Sequence, residues 1–478
     1  MENNTQQNEI TEQDENNGVL TSMHNKLDSL NVSFNKNWCI YKVPEYILKG
    51  YEYFYQPLLM SIGPVFYKDP KLETMQKVKW IYLNSFLQHS INANQSLNPY
   101  IDYVRDKEGE IRNCYQQESR LSSDEFVEMI VLDAAFLIYH CLILWSSSFD
   151  VPLVGNNLKV KMANANYDLI RLENQIPYFV LKGIFDIAFG HIYPPITLIR
   201  ATLGFINCIG IDIPGTKAIK STTEGSKITV ESNIKHLLDL QRMCCCLSLS
   251  KPLRNQPITN PTTDSDSYIH KVMSWICPSS LCNRLRKRHL KTKADYNCNR
   301  HLCYTAKQLF DAGVTFVAGE TDNILDVTFS KGKLTISKLK IQDTTESHLR
   351  NLVYFEQCHY YRDTYFIDYI VFLDQLIDTV EDVQVLVKNK IISNYLGSDD
   401  DVVKLFNNIG KNVLVLCKNY YCEVSDDLNR YASTRRHQWM AILRSQYFNQ
   451  PWTILSVIAA IILFVLTLLQ TIAAYIYK

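Results

Sequence analysis

A chain of 478 residues and 55.4 kDa exceeds the size at which one hydrophobic core usually stops growing, so one large or two closely packed domains are expected. Hydrophobic residues make up 46% and charged residues 21%, and 49 basic side chains balance 49 acidic ones, which excludes a whole-surface nucleic-acid binder; no nucleic acid is expected as a partner. The 14 cysteines are scattered and residues 1–17 are too polar for a secretory signal, so the cysteines read as reduced, small hydrophobes of a cytosolic body.

Residues 1–35 are rich in Asn, Gln and Glu, show no sustained apolar period, and read as disordered. Residues 36–250 read as an N-terminal helical half. Asp69 before Pro70 is a helix start, followed by Leu72, Met75, Lys79, Tyr82 and Phe86 at helical spacing. Ser122 with Glu125 is a capping-box pattern that opens an apolar run from Phe126 to Trp145. That run contains Asp133 and His140, so it is expected as a buried helix rather than a membrane span. A further helical stretch, Asn164 to Phe189, carries Leu172-Glu-Asn-Gln-Ile-Pro177, and Pro177 is expected to kink or interrupt it.

From 251 to 300 the pattern dissolves into Pro, Asn, Thr and Ser and then a basic run, marking a loop or linker. Its Arg284, Arg286, Lys287, Arg288, Lys291 and Lys293 form a solvated patch by default, with lipid headgroups or an acidic partner as the second reading. Residues 301–450 read as a C-terminal half with a hairpin and helices. Gly313–Gly319 and Leu325–Ile341 alternate with period two, and Ser330-Lys331-Gly332-Lys333 supplies the turn. Asp343 with Glu346 suggests another capping box. Helical periods follow at Leu373, Leu376, Ile377, Val380, Val383 and Val387, then at Val402, Leu405, Phe406, Ile409, Val413 and Leu416.

Thr453 to Ile476 holds 24 residues without a charge, against roughly 20 needed to cross a bilayer core. Trp452, Tyr475 and Tyr477 stand where an aromatic belt would lie. Arg430, Arg435, Arg436 and Arg444 precede the segment and Lys478 follows it, which places the body in the cytosol. The expected fold class is mainly α with a small antiparallel β element (α+β), plus one C-terminal transmembrane helix. The expected localisation is single-pass and tail-anchored, in the plasma membrane or an endomembrane.

Catalytic chemistry finds no anchor. Gly210-Ile-Asp-Ile-Pro-Gly215-Thr216-Lys217 imitates a phosphate-binding loop, but Thr and Lys are in the wrong order and Pro214 removes an amide. Nucleophile elbows, paired-histidine zinc helices and dinucleotide fingerprints are missing, so neither an enzyme nor a cofactor is expected. Cys277, Cys282, Cys298, His301 and Cys303 offer soft ligands without knuckle spacing and read as loop cysteines without metal. Cys244-Cys245-Cys246 is expected to end a helix in the core. Glu173, Asn174, Gln175, Arg350, Glu356 and Gln357 sit in apolar surroundings and are expected to form a structural polar network. The alternative is a membrane-tethered enzyme using Glu173 or Glu356, which a deep polar cavity joining the two would favour. Sequons at Asn3, Asn31 and Asn94 are expected to stay bare on a cytosolic body.

The motif order resembles the plant Domain of Unknown Function 247 family, also called uncharacterised protein family 0481. The resemblance rests on Tyr41-Lys-Val-Pro44, Ser61-Ile-Gly-Pro64, Leu132-Asp133, Leu172-Glu-Asn-Gln-Ile-Pro177, His236-Leu-Leu-Asp-Leu240, Arg350-Asn-Leu352, Phe355-Glu-Gln-Cys358, Leu405-Phe-Asn407 and Tyr447-Phe448 before Pro451-Trp452. The chain departs from the family at Val65-Phe66-Tyr67-Lys68, where a histidine pair is usual. The resemblance implies a C-terminal transmembrane helix and no known biochemical activity, with some grass members similar to self-incompatibility determinants. Recognition or signalling through a protein partner is the class it suggests.

Overall fold

The computed structural model describes residues 18–27, 37–90, 96–152, 156–190, 197–209, 233–247, 301–321, 323–360, 363–411, 413, 419–434 and 451–476. The loop of 251–300 with its basic patch, the imitation phosphate loop, Cys277, Cys282, Cys298 and the three sequons lie outside the described residues. Contacts divide the chain into Met1–Trp38 and Cys39–Lys478. In the first unit residues 18–27 form a helix, where the composition predicts disorder; Val19, Leu20, Met23 and Leu27 recur at helical spacing on it and are exposed.

The second unit starts with single helical turns at Glu45–Leu48 and Glu52–Tyr55. Asp69 then caps a 3-10 turn at Pro70–Leu72 by accepting from the Lys71 amide at 2.9 Å, and α1 (Glu73–His89) follows. After α2 (Asn98–Asp106) and a turn at Glu108–Arg112, the predicted box of Ser122 and Glu125 opens α3 (Ser123–Trp145). Among the described residues α3 is the one helix long and apolar enough to cross a membrane, but it is the core of the body: α1, α2, α4 (Tyr178–Phe189) and α5 (Leu198–Cys208) pack around it. This burial explains an apolar sequence on every face.

The helix expected from Asn164 to Phe189 is broken. A helix ends at Ala165, a 3-10 turn spans Asp168–Ile170, and α4 begins only after Pro177, which occupies its N-cap. Proline has no amide to donate and restrains the residue before it, and the polar side chains of 173–175 bond to distant backbone instead. In α6 (Leu237–Leu247), Cys244 and Cys245 are buried in the final turn, as the sequence suggests.

Beyond a helix at Ala306–Asp311 come β1 (Thr315–Gly319), β2 (Val327–Ser330) and β3 (Lys333–Ser337). Lys331 and Gly332 both have positive φ, 51° and 77°, as a tight two-residue hairpin demands. The antiparallel expectation holds for the β2–β3 pair alone among the described strands. β3 lies between β2 and β1 and runs parallel to β1, while β4 (Leu339–Ile341) pairs in parallel with β5 (Ile392–Asn394), so the sheets are mixed. Period-two alternation reports which face is buried and is silent about strand direction.

α7 (Thr345–His359) starts without the box expected of Asp343 and Glu346: the Gln342 amide donates to Thr345 Oγ1 at 3.0 Å and Glu346 pairs with Arg350. The single period expected from Leu373 to Val387 divides into α8 (Tyr365–Leu376) and α9 (Val380–Lys388), because Thr379 and Asp382 form a capping box between them. α10 (Asp399–Ile409) and α11 (Cys422–Ala432) complete the body. α12 (Pro451–Ile476) carries no charged residue, and its described side chains, Leu455, Ser456 and 458–473, are exposed. The apolar stretch described on it, Ile458–Ala473, is 16 residues, shorter than the 24-residue span expected, so length does not establish a crossing. The side chains of Trp452, Thr453 and Ile476 lie outside the described set.

Candidate functional site

Buried polar side chains concentrate on the segment from Tyr53 to Gly63, which has no regular ladder to satisfy its backbone. Asp168 supplies one carboxylate to three consecutive amides, those of Leu58, Leu59 and Met60, at 2.7–3.1 Å. Arg171 donates to the carbonyls of Tyr53, at 2.6 Å, and Gln56, and pairs with Asp168 at 3.1 Å. Asn174 accepts from the Ile62 amide at 2.6 Å and donates to the carbonyls of Met60 and Asp168. Asn351 of α7 bridges the halves, accepting from the Leu172 amide at 2.9 Å and donating to the Phe54 carbonyl. These backbone groups thus find partners from distant elements.

Two members of this cluster come from the helical core. Lys79 on α1 and Asp133 on α3 are fully buried and pair at 2.5 Å; Lys79 also donates to the Ser61 carbonyl, and Asp133 accepts from the Gly63 amide at 2.8 Å. Burial pushes the Lys79 ammonium down and the Asp133 carboxyl up, and each partner pulls the other back. Gly63 is required here: its φ is 72°, and a Cβ would stand 2.6 Å from the Gln175 carbonyl oxygen.

Glu173 accepts from the Val43 amide at 2.5 Å, and burial raises its carboxyl to about 7. Gln175 accepts from the Leu238 amide and donates to the carbonyls of Leu169, Arg171 and Asn174. Glu356 belongs to a second cluster, accepting from Arg242 Nε and the Phe366 amide at 2.8 Å each and from the Ile367 amide at 3.1 Å. Arg242 also lies 3.7 Å from the Tyr360 ring, and Tyr360 donates to Asp239 at 2.9 Å. Arg350 pairs with Glu346 at 2.7 Å and stacks 4.1 Å from Tyr51, and with Gln357 it lines a cavity of about 60 Å³.

The six residues expected to form one network therefore divide into three settings. Glu173, Asn174 and Gln175 hold the 172–177 loop to the first half, Glu356 fixes the α7–α8 junction, and Arg350 with Gln357 edges a shallow cavity that neither Glu173 nor Glu356 lines. Lys79, Asp168, Arg171, Arg242 and Asn351 are members of the polar clusters beyond the six expected from sequence. A Lys on the apolar face of α1 together with an Asp in the apolar run of α3 was the available signal for a buried pair. Among the described residues no group of three or more His, Cys, Asp or Glu is placed to hold a metal; His301 accepts from Gln375 at 2.8 Å, and Cys303 is exposed.

A family model described as a plant protein of unknown function, DUF247, matches residues 40–466. The chain is 28% identical to the UPF0481 protein At3g47200 of Arabidopsis thaliana over 452 residues, covering 91% of this chain and 86% of that protein. It is 23% identical to the putative UPF0481 protein At3g02645 of the same plant, covering 90% and 89%. No solved structure matches the chain. With the family model spanning nearly all of the helical body, the chain belongs to the DUF247 family of plant proteins of unknown function.

Proposed function

We propose that this protein is a membrane-anchored recognition or signalling component without catalytic chemistry, held by α12 with its body on the cytosolic face of the plasma membrane or an endomembrane. The observation that carries the reading is α12: a helix without a charged residue, on which every described side chain, largely apolar, is exposed. A helix satisfies its own backbone, so hydrocarbon is a better solvent for this surface than water. A protein partner is supported by Tyr46, Tyr53 and Leu58, which stay exposed beside helical turns that line the shallow cavity. The carboxylates of Glu173 and Glu356 are occupied by backbone amides, and neither lines the cavity edged by Arg350 and Gln357, which favours a structural role over the enzyme alternative.

The test is topology on sealed vesicles. An N-terminal tag on the full chain should be digested by added protease. A protected tag, or glycan at Asn94, would reverse the orientation. Changing Arg286, Lys287 and Arg288 to Ala should leave folding intact; weaker binding to anionic vesicles at low salt would favour the lipid-reading alternative.

A further inference from the structure

We infer that Cys39 and Cys114 form an oxidative modification site, a dithiol that a small peroxide converts to a disulfide. Two extended segments meet there. The amides of Cys39 and Ile40 both donate to the Cys114 carbonyl, at 2.9 and 3.0 Å, and Ile40 bridges Tyr115 in parallel register. Cys39 and Cys114 are the pair one step before that bridge. Neighbouring strands lie about 4.8 Å apart, and residues matched in parallel register send their side chains to the same face. That spacing falls inside the roughly 4.4–6.8 Å between Cα atoms that a disulfide needs. The two thiols lie close enough to shift one another's titration, and Cys114 Sγ–H donates to the Glu110 carbonyl at 3.4 Å.

Exposure assigns the roles, because a peroxide reaches the less buried sulfur first: Cys39 is 3% exposed and Cys114 7%. The neighbouring Cys39 thiol holds the Cys114 thiol below its ordinary value, against the opposing effect of burial, and the nearby Lys235 charge adds to this. Cys114, the more exposed of the two at 7%, is the nucleophile. Its sulfur attacks one oxygen of hydrogen peroxide, the O–O bond breaks, and water leaves as Cys114 becomes a sulfenic acid. The Cys39 sulfur then attacks the Cys114 sulfur, the S–O bond breaks, and a second water leaves. Two thiols and one peroxide give one disulfide and two waters. The bond would lock a crossroads of the body, because the Cys39 carbonyl accepts from His236 at 2.9 Å and the Val43 amide is held by Glu173.

The experiment uses the reduced full chain in detergent, exposed to one equivalent of hydrogen peroxide, alkylated with N-ethylmaleimide under denaturing conditions and mapped by mass spectrometry. The expected result is a Cys39–Cys114 cross-linked peptide ahead of any other cysteine pair, lost again on adding dithiothreitol. In Cys39→Ser, Cys114 should stop at the sulfenic acid and take up dimedone at least ten times more than in the unaltered chain. Alkylation of both cysteines to the same extent with and without peroxide would overturn the inference, as would over-oxidation of Cys114 without a cross-link. Both of these are read on the unaltered chain, so they hold even if the variant fails to fold.

Discussion

Replacing Glu173 by Gln keeps the oxygen that accepts from the Val43 amide and removes the ionisable group. In the folded chain burial raises this carboxyl from 4.5 to about 7, so the native state holds a proton that the unfolded chain has already released at intermediate pH. Its contribution to stability is therefore full below about pH 4.5 and is lost as pH rises through 7. Between pH 5 and pH 8 the loss amounts to about 2.5 kcal/mol for a shift of that size, at 1.36 kcal/mol per pH unit. Asp368, raised by burial to about 7, adds a dependence of the same sign to both proteins. The difference between wild type and Glu173→Gln isolates the one group. Urea unfolding of each full chain in detergent at pH 5, 6, 7 and 8 should show the variant gaining on wild type by about 2.5 kcal/mol over that range. Parallel pH profiles would refute the reasoning, and an unchanged stability with a lost activity would revive the enzyme alternative.

Three further outcomes follow from the packing. Lys79→Met should destabilise the body by about 3–5 kcal/mol, because it strands the buried Asp133 carboxylate; adding Asp133→Asn should recover much of the loss in a double-mutant cycle. Gly183→Ala should cost about 1–3 kcal/mol by denaturation, since a Cβ there would sit 2.1 Å from Tyr103 Cζ, and Tyr103→Leu should relieve it. Gly332→Val should cost about 1–3 kcal/mol in the same assay by forcing a branched side chain into positive φ at the β2–β3 turn, beside Tyr431.

Features written in adjacent residues were legible from sequence: the Asp69–Pro70 start, the Ser122–Glu125 box and the Lys331–Gly332 turn all reduce to local backbone chemistry. The 172–177 loop reads as polar groups seeking partners, but the partners are the backbone amides of Val43, Ile62 and Leu238, far away in the chain, and a backbone amide leaves no side-chain signal of the pairing. The same holds for the parallel pairing of β1 with β3, which depends on a strand inserted between two others. The interruption expected at Pro177 is present, whereas helix continuity misled at Thr379, where a periodic apolar pattern runs on through a break because both helices bury the same kind of face. At α12 a uniform apolar pattern gave the helix, whereas what surrounds it is decided by the environment.

Carbonate extraction of membranes carrying the full chain, compared with the Leu463→Arg, Leu466→Arg double variant, tests the anchoring most directly. The unaltered chain should stay with the membrane pellet. The variant should move to the supernatant, because each Arg near the helix centre costs roughly 2.5–3.5 kcal/mol on insertion. Release of the unaltered chain by carbonate, or retention of both proteins alike, would contradict an anchor built from α12.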